Sequence, residues 1–100
     1  MKIKVQSIHF NADQKLVDYV QKKMDKLETF YDRAVDGEVF LRLNNEGVEN
    51  KTVEIKLNVP GTQLFAKEQA KTFESATEQA TEALKIQLAK FKTKQTNGRV

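Results

Sequence analysis

Apolar residues follow two different periods along this chain. Between Asp13 and Arg33, Leu16, Val20, Met24, Leu27 and Tyr31 recur at steps of three and four, with Val17 beside them. That spacing predicts one apolar stripe of a helix. A second helix is predicted over Thr72 to Lys94, where Phe73, Ala76, Ala80, Leu84, Leu88 and Phe91 repeat in the same way without proline or glycine. Elsewhere the period is two. Ile3, Val5, Ile8 and Phe10 alternate with polar residues and shift register near Ser7, which predicts a first strand with a bulge over Lys2 to Phe10. Val39, Leu41 and Leu43, then Val53, Ile55, Leu57 and Val59, predict two half-buried antiparallel strands with one wet face. Gln63 to Gln69, with Leu64, Phe65 and Ala66, predicts a weaker fourth strand.

The residues between these runs suit ends and turns. Asn11 or Asp13 is placed to cap the first helix, whose end is expected around Arg33, before Asp36 and Gly37. The polar, glycine-containing stretch Asn44 to Asn50 predicts a hairpin loop. Val59-Pro60-Gly61-Thr62 has proline second and glycine third, as a type II turn demands. The elements therefore run β-α-β-β-β-α. Both helices need apolar cover, so the expected fold is an α+β two-layer sandwich: a four-stranded, mostly antiparallel sheet with two helices packed on one face. One domain over residues 1–94 and a flexible tail over residues 95–100 are expected.

Composition narrows the function classes. The chain has 100 residues, 39% hydrophobic and 31% charged, which is the balance of a soluble globular domain. No apolar run approaches the ~20 residues of a membrane span, and the first ten residues hold no signal-peptide core. Cysteine is absent, which excludes disulfides and thiolate sites and makes a cytoplasmic location the default. His9 is the single histidine, and no glycine-rich phosphate loop occurs. A lone histidine at a strand end is more often structural than catalytic, so no enzyme, no metal and no cofactor are expected.

Charge is where the chain departs from a merely soluble pattern. Lys15, Lys22, Lys26 and Arg33 lie 7, 4 and 7 residues apart, so on a helix they share one face, with Tyr19 in the line and Lys23 at its edge. Asp18, Asp25 and Asp32 fall on another face. In the last helix Glu74, Glu78 and Glu82 precede Lys85, Lys90, Lys92 and Lys94. Solvation and the helix dipole account for much of this. Two basic regions on helices sharing one side of a sheet nevertheless favour a polyanion surface. Lysine neutralises phosphate well and reads base edges poorly, so RNA recognised by backbone and shape fits better than DNA. Phe40 and Phe65 could stack on single-stranded bases or pack internally. The alternatives are a general double-stranded RNA-binding domain and a protein-interaction module using Ile86, the polar sheet face or an edge strand.

Two segments carry a family likeness. Lys26 to Arg33, KLETFYDR, resembles the segment closing the first helix of ribosome hibernation promoting factors and ribosome-associated inhibitors. Ala83 to Lys94, ALKIQLAKFKTK, resembles the lysine-rich ending of their last helix, at a similar spacing. The resemblance covers Met1 to about Lys94 and implies the same fold. It further implies binding to the small ribosomal subunit, on 16S ribosomal RNA between head and body, overlapping messenger and transfer RNA sites and silencing idle ribosomes. The ribosomal RNA contacts it implies are Lys23, Lys26, Arg33, Lys90, Lys92 and Lys94, to which helical geometry adds Lys22 and Lys85. Val17, Ala83 and Ile86 stand where relatives often carry cations, and Phe73-Glu74 replaces a usual Met-Tyr. The chain ends soon after the last helix, so a short, single-domain form, monomeric when free, is expected.

Overall fold

The computed structural model describes residues 1–44 and 47–97, the last four of these by backbone alone. The elements are β1 (Lys2–Ile8), α1 (Gln14–Phe30), β2 (Asp36–Leu43), β3 (Lys51–Val59), β4 (Thr62–Ala70) and α2 (Phe73–Asn97). The four strands form one sheet in the order β1-β2-β3-β4. β2, β3 and β4 are a meander of antiparallel neighbours, whereas β1 runs parallel to β2. The expected order and layers are observed, with a mixed sheet because α1 serves as the crossover between two parallel strands.

The parallel pairing sets the direction of everything above the sheet. Strands β1, β2 and β4 point the same way, and each helix returns from the end of a strand that does so. The two helices consequently run side by side in the same direction. Tyr19, early in α1, reaches Glu74, early in α2, and Tyr31 meets Phe91 edge-on with ring centroids 5.9 Å apart. The core between the layers holds Leu16, Val20, Met24 and Leu27 of α1 and Ala76, Ala80, Leu84 and Leu88 of α2. They lie on Val39, Leu41, Val53, Ile55 and Leu57 of the sheet. Burial of these stripes is the main stabilising term.

Local chemistry explains the boundaries, and three of them differ from expectation. Asp13 is the N-cap, its carboxylate accepting from the Leu16 N–H at 2.9 Å. At the other end α1 stops at Phe30 rather than near Arg33. Tyr31 is already extended, at φ −143° and ψ 97°, while its N–H still donates to the Leu27 carbonyl. Its ring continues the apolar stripe from outside the helix, so periodicity alone overruns the end. Asp32 and Arg33 therefore sit in a turn and leave the helical faces assigned to them. The expected bulge in β1 is absent, since its register with β2 is unbroken from Lys2 to Ile8. The apolar shift arises because the strand ends at Ile8 and His9 takes a left-handed φ of 70°. That turn carries Phe10 over the helical layer, where it stacks on Phe73 at 4.7 Å.

The β3–β4 hairpin has Val59 paired with Thr62, and Gly61 adopts φ 86° as the third position of a type II turn requires. Asn44 donates from its backbone to the Asn50 carbonyl at 2.8 Å across the β2–β3 loop, whose Asn45 and Glu46 lie outside the described residues. α2 runs through Asn97, three residues past Lys94, and residues 98–100 lie outside the described ones. No described helix is long and apolar enough to cross a membrane.

Gly37 of β2 lies beneath Met24 of α1, with little room for a side chain. A β-carbon there would stand 3.1 Å from Ile3 Cδ1, 3.3 Å from the Lys56 carbonyl oxygen and 3.4 Å from Met24 Cε. Two of these neighbours are core side chains and the third is backbone that cannot swing away. Gly37→Val is therefore expected to cost about 1–3 kcal/mol through overpacking, despite valine's preference for strands. Chemical denaturation would show it as a lowered midpoint at unchanged slope.

Candidate nucleic-acid interface

Because the helices are parallel, their lysine-rich C-terminal halves lie at one end of the domain. A groove of about 440 Å³ runs between them, lined by Lys23, Lys26, Leu27, Thr29 and Phe30 of α1 and by Glu78, Thr81, Glu82 and Lys85 of α2. Phe30 is the meeting point. Lys85 Nζ stands 5.5 Å from its ring centroid and Lys92 Nζ 4.6 Å, and Lys92 also donates to the Phe30 carbonyl oxygen at 3.4 Å. Two cations from α2 are thus drawn onto the last residue of α1. The last-turn carbonyls there carry the negative end of the helix dipole, which further favours a cation.

Three cations of this groove are not spent on neighbouring acids. Lys23, Lys26 and Lys85 have no ion pair among the described residues, although Glu78 and Glu82 line the same groove. On α1 Gln14 donates to Asp18 and Gln21 to Asp25, each at 2.9 Å, and the Met1 amino group pairs with Glu28. Lysines left in water on a rigid frame are what phosphate binding uses, because each can release a counterion. The groove also straddles the change of sign along α2, so its Lys85 end is the end suited to an anion.

The residues expected from sequence separate into groups. Lys23, Lys26 and Lys85 share the groove, and Lys92 joins them at Phe30. Lys22 is exposed one turn before Lys26 on the same face of α1. Arg33 is exposed in the turn beyond the helix, so it does not extend that face. Lys90 is exposed but lies five residues from Lys85, rotated well away from the face that Lys85 and Lys92 share. The Lys94 side chain lies outside the described residues. Tyr19 stands in the line of the α1 lysines. It is half-buried, with its hydroxyl on the Glu74 carbonyl at 3.4 Å and Lys23 Nζ 5.6 Å from its ring, so it ties the helices together.

Phe30 itself was not anticipated. It stands off the apolar stripe, next to a tyrosine that fills the core, and its partners are 55 to 62 positions away. The Lys85–Lys92 spacing of seven was the available hint. Of the positions lacking a cation, Ala83 packs against the core, Val17 is half-buried, and Ile86 is 59% exposed.

Residues 3–96 match the family described as sigma 54 modulation protein / S30EA ribosomal protein. The chain belongs to this family. The ribosome hibernation promotion factor of Deinococcus radiodurans is 36% identical over 81 residues, which are 77% of this chain and 41% of that protein. The chain therefore spans less than half the length of that relative. A ribosome hibernation promoting factor of Pseudomonas putida is 28% identical over 95 residues, covering 95% of this chain and 90% of the other. Among solved structures, a ribosomal subunit interface protein from Coxiella burnetii shares the fold, with a TM-score of 0.84 at 18% identity over 93% of this chain and 99% of its own. The Protein Y N-terminal domain of Thermus thermophilus aligns with a TM-score of 0.80 at 25% identity over 91% and 99% of the two chains. The likeness read from KLETFYDR and ALKIQLAKFKTK is borne out at the level of the family.

Replacing Phe30 separates its ring from its bulk. Phe30→Leu keeps an apolar contact but removes both cation–π partners, each worth about 0.5–1 kcal/mol at an exposed site. A fall in melting temperature of a few degrees is expected, measurable by circular dichroism.

Proposed function

We propose that the protein is a ribosome hibernation factor that works by occupancy and performs no chemistry. In this reading the groove end of the helical layer sits on 16S ribosomal RNA of the small subunit, in the decoding channel. The domain fills space that messenger RNA and transfer RNA need, and so silences the ribosome in the cytoplasm under stress or in stationary phase. The observation that carries the reading is the convergence of Lys23, Lys26 and Lys85, from two parallel helices, on one groove, with Lys92 over the ring of Phe30 in its lining. The names of the relatives point the same way.

The mechanism follows from the charges. Lysines neutralise phosphates without discriminating bases, so the surface suits a fixed RNA shape rather than a sequence. The sheet beneath holds both helices rigidly, so little ordering entropy opposes docking. Four phosphate contacts imply an affinity that falls on the order of 100-fold between 50 and 200 mM salt.

Co-sedimentation with purified ribosomes at rising salt tests this. The protein is expected to pellet with ribosomes at low salt and to leave the pellet steeply as salt increases. Reversing Lys23, Lys26, Lys85 and Lys92 to glutamate is expected to abolish pelleting while thermal unfolding remains cooperative. Lys90→Glu alone, off the groove, is expected to change binding little. Full pelleting by the fourfold variant would instead favour a protein-binding surface. Protection of decoding-centre nucleotides, and displacement by transfer RNA, would place the site in the channel.

A further inference from the structure

Six of the eight aromatic residues lie on the helical side of the sheet or at its rim: Phe10 on Phe73, Tyr31 on Phe91, Tyr19 between the helices, and Phe30 under its lysines. The other two, Phe40 and Phe65, are on the opposite, open face. Alternation along the strands puts them there, since their neighbours Val39, Leu41 and Ala66 are buried against the helices. The register sets what lies between the rings. Lys56 of β3 is directly opposite Phe65 of β4, and it is diagonal to Phe40 of β2, which pairs with Glu54. Lys56 Nζ stands 5.5 Å from the Phe40 ring centroid. The open face therefore carries a row of ring, ammonium and ring across three strands, and Phe65 is 44% exposed.

The acids of this face are already engaged. Arg42 holds Glu54 at 3.5 Å, Gln6 donates to Glu38 at 3.3 Å, and Asn58 donates to Asp36 at 2.5 Å. Lys56 and Lys67 have no ion pair among the described residues. Lys2, Lys4, Arg42, Lys56 and Lys67 on this face outnumber its three carboxylates, Asp36, Glu38 and Glu54, so an attached chain meets net positive charge beside the rings.

The geometry points to this open face, centred on Phe40, Lys56 and Phe65, as a second nucleic-acid surface that takes single-stranded RNA by stacking. It lies on the other side of the sheet from the helical groove and does not rest on that groove's role. Strands are about 4.8 Å apart, so rings on β2 and β4 are separated by about 10 Å across the sheet. That leaves room for two bases of one strand with a phosphate against Lys56 between them. Antiparallel sheets that bind single-stranded RNA use aromatic side chains on their open face in this way. The rings are separate and flanked by cations, whereas a protein partner would call for one continuous apolar patch. Stacking is indifferent to base identity, so pyrimidine and purine strands are both accommodated.

Fluorescence anisotropy with a labelled oligouridine of about ten nucleotides tests the proposal on the intact chain. The wild type is expected to bind at low salt. Phe40→Leu with Phe65→Leu keeps apolar bulk and removes the π faces, and is expected to weaken binding about tenfold per ring. Phe65→Leu alone, at an exposed position, is expected to show the single-ring loss should the pair of changes disturb the fold. Phe40→Trp with Phe65→Trp is expected to retain binding. Lys23→Glu, Lys26→Glu and Lys85→Glu together are expected to cost much less than the loss of the rings. No binding by wild type would overturn the proposal. So would equal binding by the single leucine variant and wild type, or a loss concentrated in the helical variant.

Discussion

The parallel pairing of β1 with β2 governs the arrangement of the whole molecule. It forces α1 to cross over the sheet and return antiparallel to β1, just as α2 returns antiparallel to β4. Both helices must bury their stripes on the same face, so they lie side by side with their ends matched. Had β1 paired as one more hairpin strand, α1 would have pointed the other way. The basic half of α2 would then have lain beside the start of α1 instead of beside Lys26 and Phe30. Direction in the sheet therefore decides whether two modest basic segments become one surface.

The surface is held in place by apolar contacts more than by charge. Met24 presses over Gly37, Tyr31 and Phe91 meet at the helix ends, and the ring of Phe30 gathers two ammonium groups. Like charges crowded at one end repel, and such crowding costs stability. The aromatic contacts and the core beneath offset that cost. Burial stabilises the frame, and the frame holds Lys23, Lys26 and Lys85 in one groove without pairing them to Glu78 and Glu82 beside them.

The layers and elements were legible because periods of two and 3.6 are direct consequences of backbone geometry. What escaped was set by contacts distant in sequence. Tyr31 continues the stripe of α1 although its backbone has left the helix, so the end at Phe30 was invisible and Arg33 was misplaced on the basic face. The shift after Ser7 read as a bulge because a strand end followed by a left-handed His9 produces the same change of phase. Among the lysines, the seven-residue spacing of Lys85 and Lys92 already placed them together, whereas motif likeness paired Lys92 with Lys90, which geometry sets apart. Phe30 gave no local sign of its role, because its partners belong to α2.

The bond from Lys92 to Phe30 spans 62 positions. Each wall of the groove is built from a different part of the chain, and neither has a binding shape alone. A nascent chain still lacking α2 has only isolated lysines to offer. The surface comes into being only when α2 docks beside α1.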